Sequence, residues 1–341
     1  MQYISPVSGQ KLRVKRKSFV TTNGEETYSV IKGVPVLLPP STNPDWNREL
    51  IEVLLWEYPE EIARIYEEIE KKHIADRNTV YVKYIGKLLG NKENIIRAFE
   101  TYKQRNTCQW VAGDGNGKIG KSQLKDFKQF SRKSTGKKRT VTKINGTGAL
   151  WEQYRYFGKL VSSNSPDCVL ELATGAGGGT ASAALYLPEN SELYTVDIGF
   201  DCLGNALGIA KYQKRNIVPV CANFWYLPFA DNSFDTVCTV CGLDESREIQ
   251  QTVSELARVT KSGGSFVVTS RENAFMRQHR ILEPFDFTQS ETLELLKNCR
   301  MYSDLLNLDN LCSAYGFELK SRKRFENKHD LVFAVSEYVK D

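Results

Sequence analysis

The sequence predicts an α/β protein whose core is a doubly wound, mostly parallel β-sheet. From about residue 167, near-continuous apolar runs that are typical of buried strands alternate with helical or loop segments. Strands buried on both faces and separated by helices indicate a parallel sheet with a helical layer on each side. The runs are CVLELA, ELYTVDI, VPVCA, FDTVCTVCG and GSFVVTS, followed by a closing pair, GFELKSRKRF and DLVFAVSEY.

Two further regions precede this sheet, so three units are expected. Residues 1–40 contain short apolar runs separated by turn pairs, with Asn23-Gly24 as a hairpin signal, and they predict a small β module. Residues 41–145 change to helical spacing, with Pro59 at the start of one helix, and they predict a helical insert. Residues 146–341 form the sheet domain.

The composition excludes several classes of protein. The 341 residues are 41% hydrophobic and 26% charged, which is unlike a collagen, a disordered chain or a small disulfide scaffold. There is no run of about 18 uninterrupted apolar residues to span a membrane, and the first residues show no secretory signal. Most of the eight cysteines lie in or beside apolar runs, as buried thiols do in a reducing compartment. We therefore expect a cytoplasmic protein.

The formal net charge of +5 is concentrated in one segment of the chain. Residues 118–143 contain ten Lys or Arg against the single acid Asp126, a net charge of +9, so the rest of the chain is mildly acidic. Cations at this density can neutralise the phosphates of RNA, and Phe127 and Phe130 among them can stack on bases. A solvated, mobile linker is the other interpretation of this basic segment.

A glycine cluster between the first strand and the first helix of the sheet is the strongest functional signal. The apolar strand runs into four glycines between residues 175 and 179 and then into a helical segment. Glycines let the backbone approach a ligand, and a helix N-terminus offers free N–H groups. Asp197 ends the next strand, 22 residues after Gly175, where a carboxylate can accept hydrogen bonds from both ribose hydroxyls of a nucleoside cofactor.

The residue pattern separates two nucleoside cofactors. A dinucleotide motif that starts at Gly175 requires glycine at position 180, where the chain has Thr180. Glu171 places a carboxylate at the end of the first strand, which suits a cationic ligand better than a diphosphate. S-adenosylmethionine carries a sulfonium and an amino group, so we predict this cofactor rather than NAD.

Residues 167–272 resemble the class I S-adenosylmethionine-dependent methyltransferases, and within them the type 11 group that includes the ubiquinone and menaquinone biosynthesis enzymes. The resemblance rests on four segments in family order: ELATGAG, with Ala173 in place of the common first glycine; TVDIG; residues 223–235; and residues 255–264. It implies a Rossmann-like fold and methyl transfer from S-adenosylmethionine.

The resemblance also implies roles for particular residues. We expect one group of residues to bind the methionine end of the cofactor, a second its ribose and a third its adenine. Residues in the loop after the fourth strand are also expected to line the site. Asn223 stands where the family usually has aspartate, and its amide can still hydrogen-bond the adenine edge. The expected cofactor-binding residues are Glu171, Ala173, Gly175, Gly177, Asp197, Ile198, Asn223, Phe224, Cys241 and Gly242.

The first forty residues are similar to a zinc-ribbon-like module that activates or precedes some methyltransferases. Ser5 and Ser8 stand where many such modules have a pair of cysteines, and no cysteine precedes Cys108. Serine hydroxyls are poor zinc ligands, so we expect no metal there. If the module is present, hairpin packing alone holds it, and it docks against or braces the sheet domain.

Two residues are candidates for a catalytic role. His279 follows the fifth strand, in a region that borders the acceptor pocket of this fold, and a histidine there can act as a general base near neutral pH. Tyr154, in the helix before the glycine cluster, can line the site. Methyl transfer requires only alignment of a nucleophilic acceptor with the sulfonium, so a mechanism without a base is equally open.

The sequence supports one principal hypothesis about function and two alternatives. The principal hypothesis is methyl transfer to an O, N or C nucleophile of a small molecule, with residues 45–145 as a lid or specificity element. The first alternative is methylation of RNA or a protein that docks on residues 118–143. The second is a regulator that binds the cofactor without catalysis.

Overall fold

The computed structural model describes residues 1–39, 50–74, 76–105, 119, 121–132, 149–246, 248–272, 274–296, 308–326 and 332–341. Its eleven strands are β1 Leu12–Lys15, β2 Ser18–Thr21, β3 Thr27–Ile31, β4 Val34–Leu37, β5 Cys168–Leu172, β6 Glu192–Asp197, β7 Ile217–Ala222, β8 Phe234–Val240, β9 Thr260–Arg271, β10 Phe317–Glu326 and β11 Val332–Lys340.

The helices in the described part of the chain are numbered in chain order. They are α1 Leu50–Leu54, α2 Pro59–Lys71, α3 Arg77–Leu88, α4 Lys92–Arg105, α5 Lys121–Arg132, α6 Ala149–Val161, α7 Gly178–Tyr186, α8 Phe200–Gln213, α9 Ile249–Val259, α10 Ala274–Leu282, α11 Gln289–Leu296 and α12 Leu308–Ala314, with 3-10 turns at Leu243–Glu245 and Glu283–Phe285. None of these described helices is both long enough and apolar enough to cross a membrane.

The strands form one mixed sheet in the order β1-β2-β3-β4-β7-β6-β5-β8-β9-β11-β10. The central strands from β4 to β9 pair in parallel, whereas β10 and β11 close the sheet in antiparallel fashion. Helices α6, α7 and α8 cover one face, and α9 and α12 cover the other. The predicted α/β class, the doubly wound parallel core and the closing strand pair are confirmed.

The strand order reverses between β5 and β8, and this point positions the functional site. From β5 the chain adds β6 and β7 on one side and then returns to add β8 and β9 on the other. In open α/β sheets the crevice at the carboxyl ends of the strands beside such a reversal is where ligands bind. The loops after β5, β6, β7 and β8 all leave from this edge.

The N-terminal strands extend the central sheet. The β2–β3 hairpin encloses Asn23-Gly24 as predicted, and β4 pairs in parallel with β7, with Val36 opposite Cys221. Where zinc-ribbon cysteines would stand, the buried Ser5 hydroxyl hydrogen-bonds Tyr28 Oη at 3.0 Å and the Glu26 carboxylate. This hydrogen-bond network holds the turn, and the likeness to a zinc ribbon stays a prediction.

The helical insert packs together with a distant part of the chain. Buried side chains of α1–α4, such as Ile85 and Phe99, form one cluster with Ile281 and Leu296 of α10 and α11. Polar contacts tie the two parts, including an ion pair of 2.7 Å between Lys92 Nζ and Glu291 Oε1. Since α10 directly follows β9, this helical cluster is attached at the carboxyl edge of the sheet.

Part of the basic segment is an anchored helix. Of residues 118–143 the structure describes 119 and 121–132, and α5 occupies the latter. Phe127 is 3% exposed, and its ring stacks on Phe200 of α8 with a centroid distance of 4.5 Å. The mobile-linker interpretation is therefore wrong for α5, and Phe127 is not available to stack on bases. The side chain of Phe130 and residues 133–143 lie outside the described part.

Truncation of Phe127 tests whether α5 is an integral part of the fold. The variant Phe127→Ala leaves a cavity against Phe200, and large-to-small changes of this kind lower the free energy of unfolding by about 3 kcal/mol. Urea unfolding followed by circular dichroism measures this change. Gln129→Ala, an exposed position on the same helix, is the control and is expected to change stability by less than about 0.5 kcal/mol. Equal free energies of unfolding for the two variants would contradict the packing of Phe127 against Phe200.

Candidate functional site

The carboxyl edge of the sheet brings the predicted cofactor residues together. Ala173, Ile198, Asn223 and Cys241 are the residues that follow β5, β6, β7 and β8. The loops after β5 and β8 touch, since a Cβ atom built on Gly242 would lie 2.7 Å from the Cβ of Ala173. Gly242 is therefore required for this close approach, and all four loops leave from the same edge of the sheet.

The glycine loop between β5 and α7 turns through left-handed backbone. Gly175 has a φ of +48° and Gly177 a φ of +84°, and the N–H of Gly177 donates to the Thr174 carbonyl at 2.8 Å. Ala173 also has a positive φ, of +59°, a conformation that glycine adopts more easily. The turn directs the free N–H groups at the start of α7 towards the crevice, where they favour an anionic group.

Asp197 at the end of β6 holds two loops at once. Its Oδ2 accepts from the Gly175 N–H at 2.8 Å and its Oδ1 accepts from the Gly199 N–H at 2.7 Å. Burial raises the pKa of Asp197 to about 6, and the two backbone donors act in the opposite direction. The carboxylate is thus ionised at neutral pH, and each oxygen keeps a lone pair for a hydroxyl donor.

Glu171 lies beneath the glycine loop. Its side chain is 1% exposed, Oε2 accepts from Thr180 Oγ1 at 2.5 Å, and Gly179 packs against Oε1. Burial raises the pKa of Glu171 to about 8. The free carboxyl group is therefore mostly protonated at neutral pH, and its role in holding the methionine end remains a prediction.

Tyr154 of α6 reaches over the glycine loop. A Cβ atom built on Gly178 would lie 2.7 Å from Tyr154 Oη, so the phenol rests directly on the start of α7. Burial raises the pKa of Tyr154 to about 12, with the nearby Cys241 and Glu171 acting in the same direction. The phenol stays protonated at neutral pH, so it can donate a hydrogen bond and is not a base.

The remaining predicted cofactor residues occupy different positions at this edge. The Asn223 Oδ1 accepts from the Trp225 N–H at 2.9 Å, which closes the turn after β7. Phe224 packs against the core below β7, and Ile198 packs in the cluster that includes Phe127 of α5. The amide N–H₂ group of Asn223 takes no part in that hydrogen bond and could donate to an adenine nitrogen.

The structure places His279 within the helical cluster. Its side chain is 6% exposed, Nδ1 lies 2.9 Å from Thr292 Oγ1 of α11, and the ring stacks on Phe275 at 6.1 Å. These contacts fix the ring between α10 and α11, not on the glycine loop, where Tyr154 lies. A general-base role for His279 stays a prediction.

The sequence analysis missed a buried ion pair in the same crevice. Asp244, in the 3-10 turn that follows Cys241-Gly242, is fully buried and pairs with Arg271 Nε at the end of β9. Asp244 follows β8 and Arg271 ends β9, so both lie at the carboxyl ends of strands. This position is the only sequence signal that could have indicated the pair. It joins the loop after β8 to the start of the helical cluster.

The donor set fits S-adenosylmethionine. Two buried carboxyl groups, Glu171 and Asp197, lie at the ends of β5 and β6, and the glycine loop and the start of α7 lie between them. A ribose needs acceptors for two hydroxyls, which Asp197 offers, and a sulfonium and an amino group need negative charge nearby.

Comparison with known protein families agrees with this geometry. Residues 170–268 match the family model described as a methyltransferase domain. These residues therefore form a methyltransferase domain, which agrees with the predicted S-adenosylmethionine cofactor. The prediction of the class I methyltransferase fold and cofactor is confirmed.

Curated relatives match mainly this domain. The chain is similar to a demethylmenaquinone methyltransferase of Corynebacterium urealyticum, with 37% identity over 103 residues, 30% of this chain and 40% of that protein. It is also similar to a ubiquinone/menaquinone biosynthesis C-methyltransferase of Saccharophagus degradans, with 25% identity over 50% of this chain and 74% of that protein. The chain spans about half the length, or less, of the Corynebacterium urealyticum protein and of three further demethylmenaquinone methyltransferases that it matches.

Solved structures with a similar fold cover somewhat more of the chain. The N-methyltransferase NodS from Bradyrhizobium japonicum, in complex with S-adenosyl-L-homocysteine, is 12% identical, covers 63% of this chain and 98% of its own, and has a TM-score of 0.44. The [4+2]-cyclase SpnF is 14% identical, covers 55% and 81%, and has a TM-score of 0.41.

The raised pKa of Glu171 predicts a pH-dependent affinity for the cationic cofactor. S-adenosylmethionine binding favours the ionised carboxylate, so affinity is expected to rise roughly tenfold between pH 6 and pH 8. Because the folded pKa of about 8 exceeds the ordinary value of 4.5, Glu171 also makes the free energy of unfolding fall as pH rises across that interval.

Titration calorimetry of wild type and Glu171→Gln at both pH values measures the effect. The glutamine variant keeps the size of the side chain and removes its titration, so only the titration of Asp197 and the ligand's own ionisation remain in its pH profile. Identical profiles for the two proteins would contradict the placement of Glu171 in the cofactor site.

Proposed function

We propose that this chain transfers a methyl group from S-adenosylmethionine to an O, N or C nucleophile of a small-molecule acceptor. The observation that carries this proposal is that the predicted cofactor site and the helical cluster lie at the same edge of the sheet. The glycine loop with Asp197 and Glu171 forms a cofactor site, and the helical cluster of α1–α4, α10 and α11 is attached beside it, after β9.

The residues of the site bind and orient the reactants. When bound, S-adenosylmethionine supplies an electrophilic methyl group on its sulfonium. Asp197 fixes the ribose through its free lone pairs, and the protonated Tyr154 phenol donates a hydrogen bond at the glycine loop. The helical cluster excludes water and orients the acceptor, and alignment of this kind accelerates transfer without a base.

The acceptor class follows from the position of the helical cluster and from the curated relatives. The cluster buries a continuous set of aliphatic and aromatic side chains at its junction with α10 and α11, so it is a rigid element for selecting a bulky apolar acceptor. The relatives are named for demethylmenaquinone methylation and for C-methylation in ubiquinone/menaquinone biosynthesis. We therefore favour a carbon nucleophile on a ring compound among the small-molecule acceptors.

Substitution of Asp197 tests the cofactor site directly. The variant Asp197→Ala removes both ribose acceptors and the anchor of two loops, so S-adenosylhomocysteine affinity is expected to fall at least about tenfold, since a charged hydrogen bond contributes about 1.5–3 kcal/mol. Calorimetry gives the affinity. Glu189→Gln, an exposed position between α7 and β6, is the control that leaves affinity unchanged. Unchanged affinity in Asp197→Ala would refute the assigned pocket.

Transfer of labelled methyl groups identifies the acceptor class. The protein is incubated with methyl-labelled S-adenosylmethionine and whole-cell extract, which is then separated into RNA, protein and small molecules. The proposal predicts label in the small-molecule fraction, dependent on Asp197. Label in RNA or protein would contradict the small-molecule acceptor, and no label in any fraction with intact cofactor binding would favour a regulator.

A further inference from the structure

The N-terminal strands present a positively charged face of the sheet, on which Val20 is buried. Residues directly opposite each other in neighbouring strands point to the same face. The register places Arg13 opposite Val20 and Lys15 opposite Ser18, and it continues from Ser18 to Ser29 in β3. Arg13, Lys15 and Ser29 are exposed. A cationic and hydroxyl-bearing surface therefore runs across β1, β2 and β3.

Helix α5 borders this surface on the same side of the sheet. Ile31 shares a face with Ser29, since side chains alternate along β3, and it lies opposite Val34. Ile31 and Val34 pack in one cluster with Phe127 and Leu124 of α5. The helix thus packs on the face at β3–β4, and the exposed Arg13 and Lys15 lie farther along the same face on β1.

The outer side of α5 adds further cations. Lys121, Lys125 and Lys128 are exposed and spaced as neighbours along one side of the helix, while Leu124 and Phe127 point inward. The strands and the helix come from sequence positions more than a hundred residues apart, and the fold places their cations beside one surface. Edge strands often carry lysines that prevent aggregation, but that role does not account for the cations on α5.

Two turns add charge at one end of this surface. Because β1, β2 and β3 alternate in direction, the Arg16-Lys17 turn and the Lys32-Gly33 turn lie at the same end. Lys32-Gly33 leads into the start of β4, which runs parallel to β7. This end is therefore opposite the carboxyl edge that holds the cofactor site. We call this set the basic face: Arg13, Lys15, Arg16, Lys17, Lys32, Lys121, Lys125 and Lys128.

We propose that the basic face binds the phosphate backbone of a single-stranded nucleic acid. Arg and Lys side chains with neighbouring Ser and Thr hydroxyls are donors for phosphate oxygens. The exposed Val14 lies on the opposite face of β1, because side chains alternate along a strand, so the basic face offers a bilayer no aliphatic anchor there. Phe127 is buried, so its ring cannot stack on the bases of a bound strand. Contacts with phosphates carry no sequence information, so binding is independent of base sequence.

This interaction is separate from methyl transfer. The turns of the basic face lie at the end of the sheet away from Asp197, so a bound strand is held as a partner and not presented as the methyl acceptor. The inference goes beyond the proposed function and does not depend on it.

Fluorescence anisotropy with labelled oligouridine over a range of salt concentrations tests the proposal. The double variant Arg13→Glu/Lys15→Glu is expected to bind at least tenfold more weakly at low salt. The slope of log affinity against log salt is expected to become shallower by about 1.4, roughly 0.7 for each lost phosphate contact on a single strand. Unchanged S-adenosylhomocysteine affinity in this variant shows that the fold is intact.

A matched variant provides the control. Lys71→Glu/Lys87→Glu makes the same change in net charge at exposed positions of α2 and α3, and it is expected to bind oligouridine like wild type. Three results would overturn the proposal: no binding by wild type at low salt, equal loss in both double variants, or binding only to phosphatidylglycerol vesicles with no response to oligouridine.

Discussion

The carboxylate of Asp197 is the interaction on which the rest of the site depends. One oxygen accepts from Gly175 in the loop after β5, and the other accepts from Gly199 in the loop after β6. Burial of this carboxylate disfavours its charge, and the two backbone donors offset that cost. The carboxylate thus ties the loops after β5 and β6 to each other at the carboxyl edge of the sheet.

The sheet and the helices around this carboxylate are assembled from distant parts of the chain. Gly158 lets α6 approach α7 closely, since a Cβ atom there would lie 2.7 Å from Tyr186, and this contact brings Tyr154 onto the glycine loop. The helical cluster combines residues before the sheet with residues after β9. The Asp244–Arg271 pair joins the loop after β8 to that cluster. The glycine loop and the helical cluster are therefore both held to the sheet by close contacts.

Local sequence patterns were sufficient for the sheet and for the cofactor edge. Apolar runs predicted the central strands, and the glycine cluster predicted the turn between β5 and α7, because strand ends and left-handed turns have local signatures. The hairpin at Asn23-Gly24 was also predicted correctly. These features depend on residues close together in sequence, which is why one sequence reveals them.

Features that depend on long-range packing were not predictable in the same way. The pairing of β4 with β7, the burial of Phe127 against Phe200 and the union of α10 and α11 with α1–α4 join segments far apart in sequence. Glu171 was expected within the site, and its position beneath α7 depends on how the helix packs on β5. The packing of the basic segment could not be predicted for the same reason. A run of cations does not reveal which apolar side chains anchor the segment to the rest of the fold.

A crystal structure of the chain with S-adenosylhomocysteine tests the central claim most directly. The account predicts that both ribose hydroxyls lie within hydrogen-bond distance of the Asp197 carboxylate, with the methionine end over Gly175 and Gly177. A ligand bound elsewhere, or with its ribose away from Asp197, would contradict it.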